Sequence, residues 1–191
     1  MSRIPAAMAF IVLSSLAAGS AGAEDEKVTA VLELFTSQGC ASCPPADEAL
    51  EEFAKRPDIV ALSLSVDYWD YQGWKDTLAE HAFTSRQKDY ANARGDRQVY
   101  TPQMIVNGRV HVVGSDEAAI ERAIAKGPAP SVPISVGMMG DAIRVSVGAA
   151  GKDEPKKATL FLALYERHVK VQIERGENRG RTLSYYNVVR R

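Results

Sequence analysis

The only two cysteines of the chain, Cys40 and Cys43, are separated by two residues in the segment GCASCPPAD. Two thiols at this spacing can cycle between a dithiol and a disulfide, bind a soft metal ion, or form a structural staple. A bridge that closes so short a loop stabilises a fold by only about 2 kcal/mol in the loop-entropy model, which disfavours the staple. The segment therefore indicates redox chemistry first and metal chemistry second.

Metal binding is restricted by the rest of the composition. A structural zinc site needs four ligands, whereas the chain has no second cysteine pair and its three histidines, His81, His111 and His168, are scattered. Two thiolates alone can hold Cu(I), so a copper-binding dithiol, with Met104 as a candidate extra ligand, stays open as an alternative. For the redox interpretation we expect no metal and no other cofactor.

The elements around the cysteines place the pair at the start of a helix. The apolar run of residues 28–36 predicts a buried strand, and apolar residues at spacings of four and three predict an amphipathic helix over residues 44–56. Unpaired N–H groups and the positive end of the helix dipole favour a thiolate at this point. We therefore expect Cys40 to be the exposed, attacking sulfur, and Cys43 to lie a turn further in, where it can resolve a mixed disulfide.

The remaining pattern predicts an α/β fold with a mixed sheet flanked by helices. Four further elements are predicted: a strand over 59–66, a helix over 75–93, a hairpin over 102–114 and a helix over 116–126. Asn107-Gly108 is the hairpin turn, and Ser115 is expected to cap the last helix. This order describes a four-stranded mixed sheet with helices on both faces.

Composition divides the chain into three parts. Residues 1–23 combine a positive charge, an apolar stretch and small residues before a cleavage point, which predicts a signal peptide. Residues 24–127 form the predicted α/β domain. After a proline-rich joint, short alternating runs predict a small antiparallel β module over 128–191, and we expect its final strands to be absent.

An exported protein is expected to be periplasmic or secreted, where a vicinal dithiol can persist as a disulfide. The net charge of −1 at pH 7 supplies no field that would recruit nucleic acid or an anionic membrane. We therefore expect no nucleic-acid partner, and no membrane association once the signal is cleaved.

Several motifs carry a resemblance to known families. The segments LELFTSQGCASCPPAD, DYWD and YTPQMIVNG closely resemble an exported bacterial family catalogued as domain of unknown function 1223. More broadly, residues 28–126, with a strand, a CxxC, a helix and a Thr-Pro hairpin, resemble the thioredoxin superfamily. That resemblance implies that Cys40 attacks, that Cys43 resolves, that Pro102 is held in cis opposite the dithiol, and that the backbone of Thr101 binds an extended peptide.

Two departures from the superfamily pattern bear on the site. The buried acid that many thioredoxins carry six residues before the first cysteine is replaced by Leu34. Glu33 is its neighbour and is a candidate proton relay, with solvent exposure or an arginine pair as the alternatives. The segment between the dithiol and Pro102 is also long, and Trp69 within it is a candidate substrate contact, with core or lid packing as the alternative.

The leading hypothesis is an exported thiol–disulfide oxidoreductase-like protein that acts on a protein or small thiol or disulfide and is recycled by a redox partner. A periplasmic Cu(I)-handling protein and a non-catalytic peptide-binding module of the same fold are the alternatives. The sequence does not set the direction of the exchange.

Overall fold

Two sheets and three α-helices make up the fold of the computed structural model, which describes residues 28–149, 151 and 158–190. A six-stranded mixed sheet carries helices on both faces, and a separate antiparallel sheet has two strands. The predicted fold class, a mixed sheet flanked by helices with a small antiparallel sheet, is confirmed. The predicted signal peptide, residues 1–23, lies outside the described residues. No helix in the described ranges is long and apolar enough to cross a membrane.

The helices and strands have the following bounds: β1 Ala30–Thr36, α1 Pro44–Ala54, β2 Ile59–Ser65, α2 His81–Arg94, β3 Gln103–Val106, β4 Val110–Val113, α3 Glu117–Lys126, β5 Ile134–Met139, β6 Ala142–Val147, β7 Tyr165–Gln172 and β8 Thr182–Val189. A short 3₁₀ helix covers Asp70–Gln72. The main sheet has the order β4-β3-β1-β2-β8-β7. Strand β2 is parallel to both β1 and β8, and the other pairs are antiparallel.

Strand β1 lies in the centre of the sheet and is covered on both faces. Leu32 and Leu34 pack in one core cluster with residues of α1 and α3. Phe35 points to the other face, where it meets Tyr90 of α2 edge-on with ring centroids 6.3 Å apart. This double burial explains the nearly continuous apolar sequence of the strand, and it fixes the end of β1 from which the cysteine segment leaves.

The main sheet has six strands rather than four because two C-terminal strands join it. Val188 of β8 pairs with Ser63 of β2, and the Asn187 side-chain amide donates to the Ala61 carbonyl at 2.9 Å. Only β5 and β6 form a sheet of their own among the described residues, and its apolar face is largely exposed. Strand β8 also packs along α1, so the C-terminal residues reach the neighbourhood of the cysteines.

Helix α2 begins at His81 rather than near residue 75. The residues that the periodicity assigned to its first turns instead form a turn in which the Asp76 carboxylate accepts hydrogen bonds from the Leu78 and Gln38 N–H groups, at 2.8 and 2.7 Å. Tertiary hydrogen bonds therefore override the helical pattern. The cap of α3 also differs from the expectation: Asp116, not Ser115, accepts from the Ala119 N–H at 2.8 Å.

The predicted hairpin is confirmed. Its strands are β3 and β4, and Asn107 and Gly108 at the turn both have positive φ, 51° and 65°. These are the residue types that adopt left-handed backbone most readily. The peptide bond between Thr101 and Pro102, just before β3, is cis, as predicted.

Candidate functional site

Cys40 and Cys43 form a disulfide at the junction between β1 and α1, with their Cα atoms 5.4 Å apart. A turn after β1 brings Cys40 into place, since its N–H donates to the Ser37 carbonyl at 3.1 Å. Cys43 is the N-cap of α1, and its carbonyl accepts from the N–H groups of Ala46 and Asp47 at 2.8 and 3.1 Å. Prolines at the first two helical positions fit because no carbonyl partner is available there for an N–H.

The expectation that Cys40 is exposed is wrong. Cys40 is 1% exposed and Cys43 is 0% exposed. Two segments that are distant in sequence cover the pair, one from the long insertion before Pro102 and one from the turn between β7 and β8. Local sequence around a CxxC motif carries no information about such distant segments.

The first cover is residues 174–181, here called the covering loop. Its Asn178 is 1% exposed and donates through its side-chain amide to the carbonyls of Gln38 and Cys40, at 2.9 and 3.0 Å. The Ala41 N–H donates to the Glu177 carboxylate at 3.3 Å, and Arg181 donates to the Asn178 side-chain oxygen at 2.9 Å. The covering loop therefore binds the backbone on both sides of Cys40.

The second cover holds the turn before Cys40 through Gln38. The Gln38 side-chain oxygen accepts from the Trp74 indole N–H at 2.8 Å, and its amide donates to the Thr77 hydroxyl at 3.1 Å. Asp76 binds the backbone N–H of the same residue. Gln38 is fully buried, so the turn that carries the first sulfur is fixed by hydrogen bonds at both its backbone and its side chain.

Trp69 and Thr101 lie together beside this turn. The Trp69 indole N–H donates to the Thr101 hydroxyl at 2.8 Å. A Cβ atom added at Gly39 would lie 3.0 Å from the Trp69 Cβ, so the tryptophan contacts the residue before Cys40. Trp69 also stacks on Tyr71, which is exposed. The structure thus brings two of the sequence-predicted site residues to the cysteine turn.

Gly114 lies between Pro102 and the first turn of α1. A Cβ at Gly114 would lie 2.7 Å from Leu34 Cδ1, 3.1 Å from the Ala46 Cβ and 3.2 Å from the Pro102 Cβ. The absence of a side chain at Gly114 therefore lets the Thr-Pro segment approach the helix that begins with Cys43.

Glu33 is placed elsewhere. Its carboxylate accepts from Arg86 at 2.6 and 2.8 Å and from the Tyr90 hydroxyl at 2.8 Å, which puts it on the α2 face of the sheet, opposite α1. The Glu33 hydrogen bonds raise the pKa of Arg86. Burial raises the pKa of Tyr90, and the Glu33 charge adds to that effect. The arginine pair, left open by the sequence, is the arrangement found.

A different acid, Asp47, lies buried on α1. It is 3% exposed, and neither carboxylate oxygen has a hydrogen-bond partner of good geometry within the described residues. Burial raises the pKa of Asp47 well above its usual range, although the Thr36 hydroxyl at the end of β1 acts to lower it. The sequence pattern did not single out Asp47 as a site residue. The signal that could have found it is its i+4 spacing from Cys43 on the buried face of the helix.

The three histidines have partners away from the cysteines. His81 lies 2.8 Å from an Asp67 oxygen, His111 lies 2.9 Å from the Tyr100 hydroxyl, and His168 stacks on Tyr186. Met104 is buried in the core cluster of β1 and α1. Across the described ranges, no group of three or more His, Cys, Asp or Glu residues could hold a metal ion.

A protein of known structure has a similar fold. The crystal structure of the protein AGR_C_4864 from Agrobacterium tumefaciens is similar to this chain, with a TM-score of 0.74 and 42% identity over 87% of this chain and 72% of that one. The chain matches none of the curated proteins. Residues 31–191 match the family described as protein of unknown function (DUF1223). The chain therefore belongs to the DUF1223 family.

Proposed function

We propose that this chain is an exported thiol–disulfide oxidoreductase-like protein of the thioredoxin superfamily, which acts through Cys40 and Cys43. The observation that carries the proposal is the position of the bridge: it joins the end of a central strand to the first turn of a helix, beside Trp69 and Thr101. The positive end of the helix dipole stabilises a thiolate, which is the attacking and the leaving species in disulfide exchange.

The exchange proceeds in two steps. A substrate thiolate attacks Cys40 Sγ, so that a mixed disulfide forms, the Cys40–Cys43 bond breaks and Cys43 leaves as a thiolate that takes up a proton. A second substrate thiolate then attacks the substrate sulfur and releases the Cys40 thiolate, which leaves the substrate oxidised and the protein reduced. A partner disulfide restores the bridge. The reverse sequence reduces a substrate disulfide and requires a partner thiol.

Burial of both sulfurs adds a condition to this chemistry. With Cys40 1% exposed, an attacking thiolate needs a local rearrangement to reach its sulfur. We propose that this rearrangement includes breaking of the Asn178 hydrogen bonds to the Gln38 and Cys40 carbonyls. The freed carbonyls can accept hydrogen bonds from N–H groups of a substrate. We therefore propose that substrate binding and opening of the covering loop occur together.

The test uses scrambled and reduced ribonuclease A with wild-type protein, Cys40→Ala, Cys43→Ala and the double variant. Wild-type protein should catalyse reactivation, and the double variant should not. Cys43→Ala should accumulate a mixed disulfide with the substrate, whereas Cys40→Ala serves as the matched control and should not. Equal reactivation by wild type and the double variant would refute the proposal.

The equilibrium reduction potential of the pair in glutathione buffers gives a second, independent criterion. Exchange proteins have potentials of about −270 to −120 mV, whereas structural bridges lie below about −300 mV. A value in the lower range would identify the pair as a buried staple of a non-catalytic module.

A further inference from the structure

Asp47 is a buried acid with little hydrogen bonding from the fold: within the described residues the Thr36 hydroxyl acts to lower its pKa, but without good hydrogen-bond geometry. Its two carboxylate oxygens lack hydrogen bonds of good geometry there, and so does the hydroxyl of Thr36, which faces it from β1. An unpaired buried carboxyl group costs several kcal/mol relative to an apolar residue. Such an arrangement is typical of a group retained for its chemistry.

Asp47 lies about one helical turn after Cys43, which carries the second sulfur of the bridge. Asp47 follows Cys43 by four residues, and its N–H donates to the Cys43 carbonyl at 3.1 Å. Side chains at i and i+4 are neighbours on a helix face, and helical side chains lean toward the N-terminus. From this rule we infer that the Asp47 carboxyl group leans toward Cys43. Both side chains are buried on the sheet side of α1.

A cavity of about 240 Å³ adjoins Asp47. It is lined by Asp47, Pro44, Glu48 and Glu51 of α1 and by Arg181 and Ser184 near β8, among others. Glu48 and Arg181 are exposed, so the cavity connects the buried carboxyl group with polar groups at the surface. A cavity of this size and polarity can hold water, and water can carry a proton between Asp47 and solvent.

We propose that Asp47 is the proton donor and acceptor for Cys43 Sγ, directly or through one water. This inference rests on the proposed function. When a substrate thiolate breaks the bridge, the Cys43 thiolate takes the proton of Asp47. When Cys43 attacks a mixed disulfide on Cys40, its thiol proton passes to Asp47, the Cys40–Cys43 bond forms and the substrate thiolate leaves. In both directions, Asp47 regains or releases its proton by exchange with solvent through water in the cavity.

The charged and titratable groups around Asp47 are consistent with this task. Asp76, from the turn before α2, and Glu48, from α1 itself, add to the effect of burial in raising the pKa of Asp47. Burial raises the pKa of the Tyr185 hydroxyl on β8, and the Asp47 and Asp76 charges raise it further, whereas Arg181 acts to lower it. A carboxyl group that holds its proton at higher pH is better matched to a thiol than an ordinary one.

The test compares reduced wild type, Asp47→Asn and Glu52→Gln in oxidation by glutathione disulfide between pH 5 and 9. Glu52→Gln is the matched control, because Glu52 is an exposed acid of the same helix and does not line the cavity. Asp47→Asn should lower the rate about 100-fold and change the shape of the pH profile, whereas Glu52→Gln should stay within about twofold of wild type. An unchanged rate and profile in Asp47→Asn would overturn the inference.

A second measurement does not depend on access to Cys40. In a Cys40→Ala background, the absorbance of the Cys43 thiolate is titrated once with Asp47 intact and once with the added substitution Asp47→Asn. Loss of a coupled carboxylate should shift the Cys43 titration by about tenfold in proton concentration; identical titrations would count against the inference. If Asp47→Asn does not fold, the carbon-13 carboxyl signal of Asp47 in the wild type decides, because its titration must differ between the disulfide and the dithiol forms.

Failure of the proposed function and failure of the proton coupling give different results in these experiments. If wild type does not exchange with glutathione disulfide and the Cys43 titration still depends on Asp47, the proposed function fails while the proton coupling stands. If wild type exchanges and neither readout responds to Asp47→Asn, the coupling fails while the proposed function stands.

Discussion

The side-chain amide of Asn178 donates a hydrogen bond to the carbonyl of Cys40 at 3.0 Å, across 138 residues of sequence. The same amide binds the Gln38 carbonyl at 2.9 Å. One buried side chain of the covering loop therefore satisfies two carbonyls next to the bridge. We infer that it limits the approach of a reactant to the sulfurs.

Replacing Asn178 with Ala should open this approach. The two carbonyls would lose their buried partner, which should lower the free energy of unfolding by about 2–4 kcal/mol. The rate at which dithiothreitol reduces the bridge should rise by at least about tenfold, because local opening would no longer have to break these hydrogen bonds. Arg179→Ala is the matched control, since Arg179 is exposed in the same loop. Equal reduction rates in the two variants would show that the covering loop does not control access.

The hydrogen bond between Trp69 and Thr101 should contribute a measurable coupling. Trp69→Phe and Thr101→Val each remove one partner of the 2.8 Å hydrogen bond. A double-mutant cycle by chemical denaturation should give a coupling energy of about 0.5–1.5 kcal/mol. Trp74→Phe combined with Thr101→Val is the control, because the Trp74 indole binds Gln38 instead, and this pair should be additive. A coupling of zero for Trp69 and Thr101 would contradict the geometry.

Local signals predicted the parts of the fold that depend on nearby residues. The Asn107-Gly108 turn requires left-handed backbone at two positions, and few residue pairs other than this one permit it. The apolar run before the cysteines predicted a strand buried on both faces, and the prolines after Cys43 fit only a helix start. These features depend on neighbours within a few residues, which the sequence displays directly.

Features that depend on distant partners were not predictable in the same way. The predicted exposure of Cys40 was wrong because distant segments, among them the one that carries Asn178, bind the turn that holds it. No pattern near the cysteines refers to the turn between β7 and β8. The predicted start of α2 near residue 75 was wrong because the Asp76 carboxylate binds the Gln38 N–H. Asp47 was overlooked because an acid in a first helical turn ordinarily indicates a favourable interaction with the helix dipole, not burial beside a disulfide.

Glu33 should matter for stability and not for disulfide exchange. Glu33→Gln removes the charge that pairs with Arg86 at 2.6 Å in a 5% exposed position. Because Arg86 keeps partial access to water, the free energy of unfolding should fall by about 1–3 kcal/mol, less than for a fully buried pair. Glu121→Gln disrupts an exposed pair with Arg56 and should change stability by less than about 1 kcal/mol. Thermal unfolding and the ribonuclease assay check both expectations; slowed exchange in Glu33→Gln at unchanged stability would restore it as a relay.

The stability of the protein should depend on pH through Asp47 in a defined direction. Burial raises the pKa of Asp47 in the folded state, with further contributions from Asp76 and Glu48 and an opposing one from Thr36. The folded protein therefore binds this proton more tightly than the unfolded chain does. The stability gained in this way is fully present below the unfolded pKa, near about 4, and is lost as the pH rises through the folded pKa.

Asp47→Asn cannot lose that proton, so its unfolding free energy relative to wild type should increase with pH. The difference should be smallest near about pH 4 and should grow by up to about 1.4 kcal/mol per pH unit until the folded pKa is passed. Urea denaturation of the oxidised proteins between pH 4 and 8 measures it, and Glu52→Gln, at an exposed position of the same helix, should stay within about 0.5 kcal/mol of wild type as a surface substitution. A difference that is constant over this range, or that falls as the pH rises, would mean that Asp47 does not retain its proton on burial, and the proton transfer inferred for Cys43 would then lose its donor.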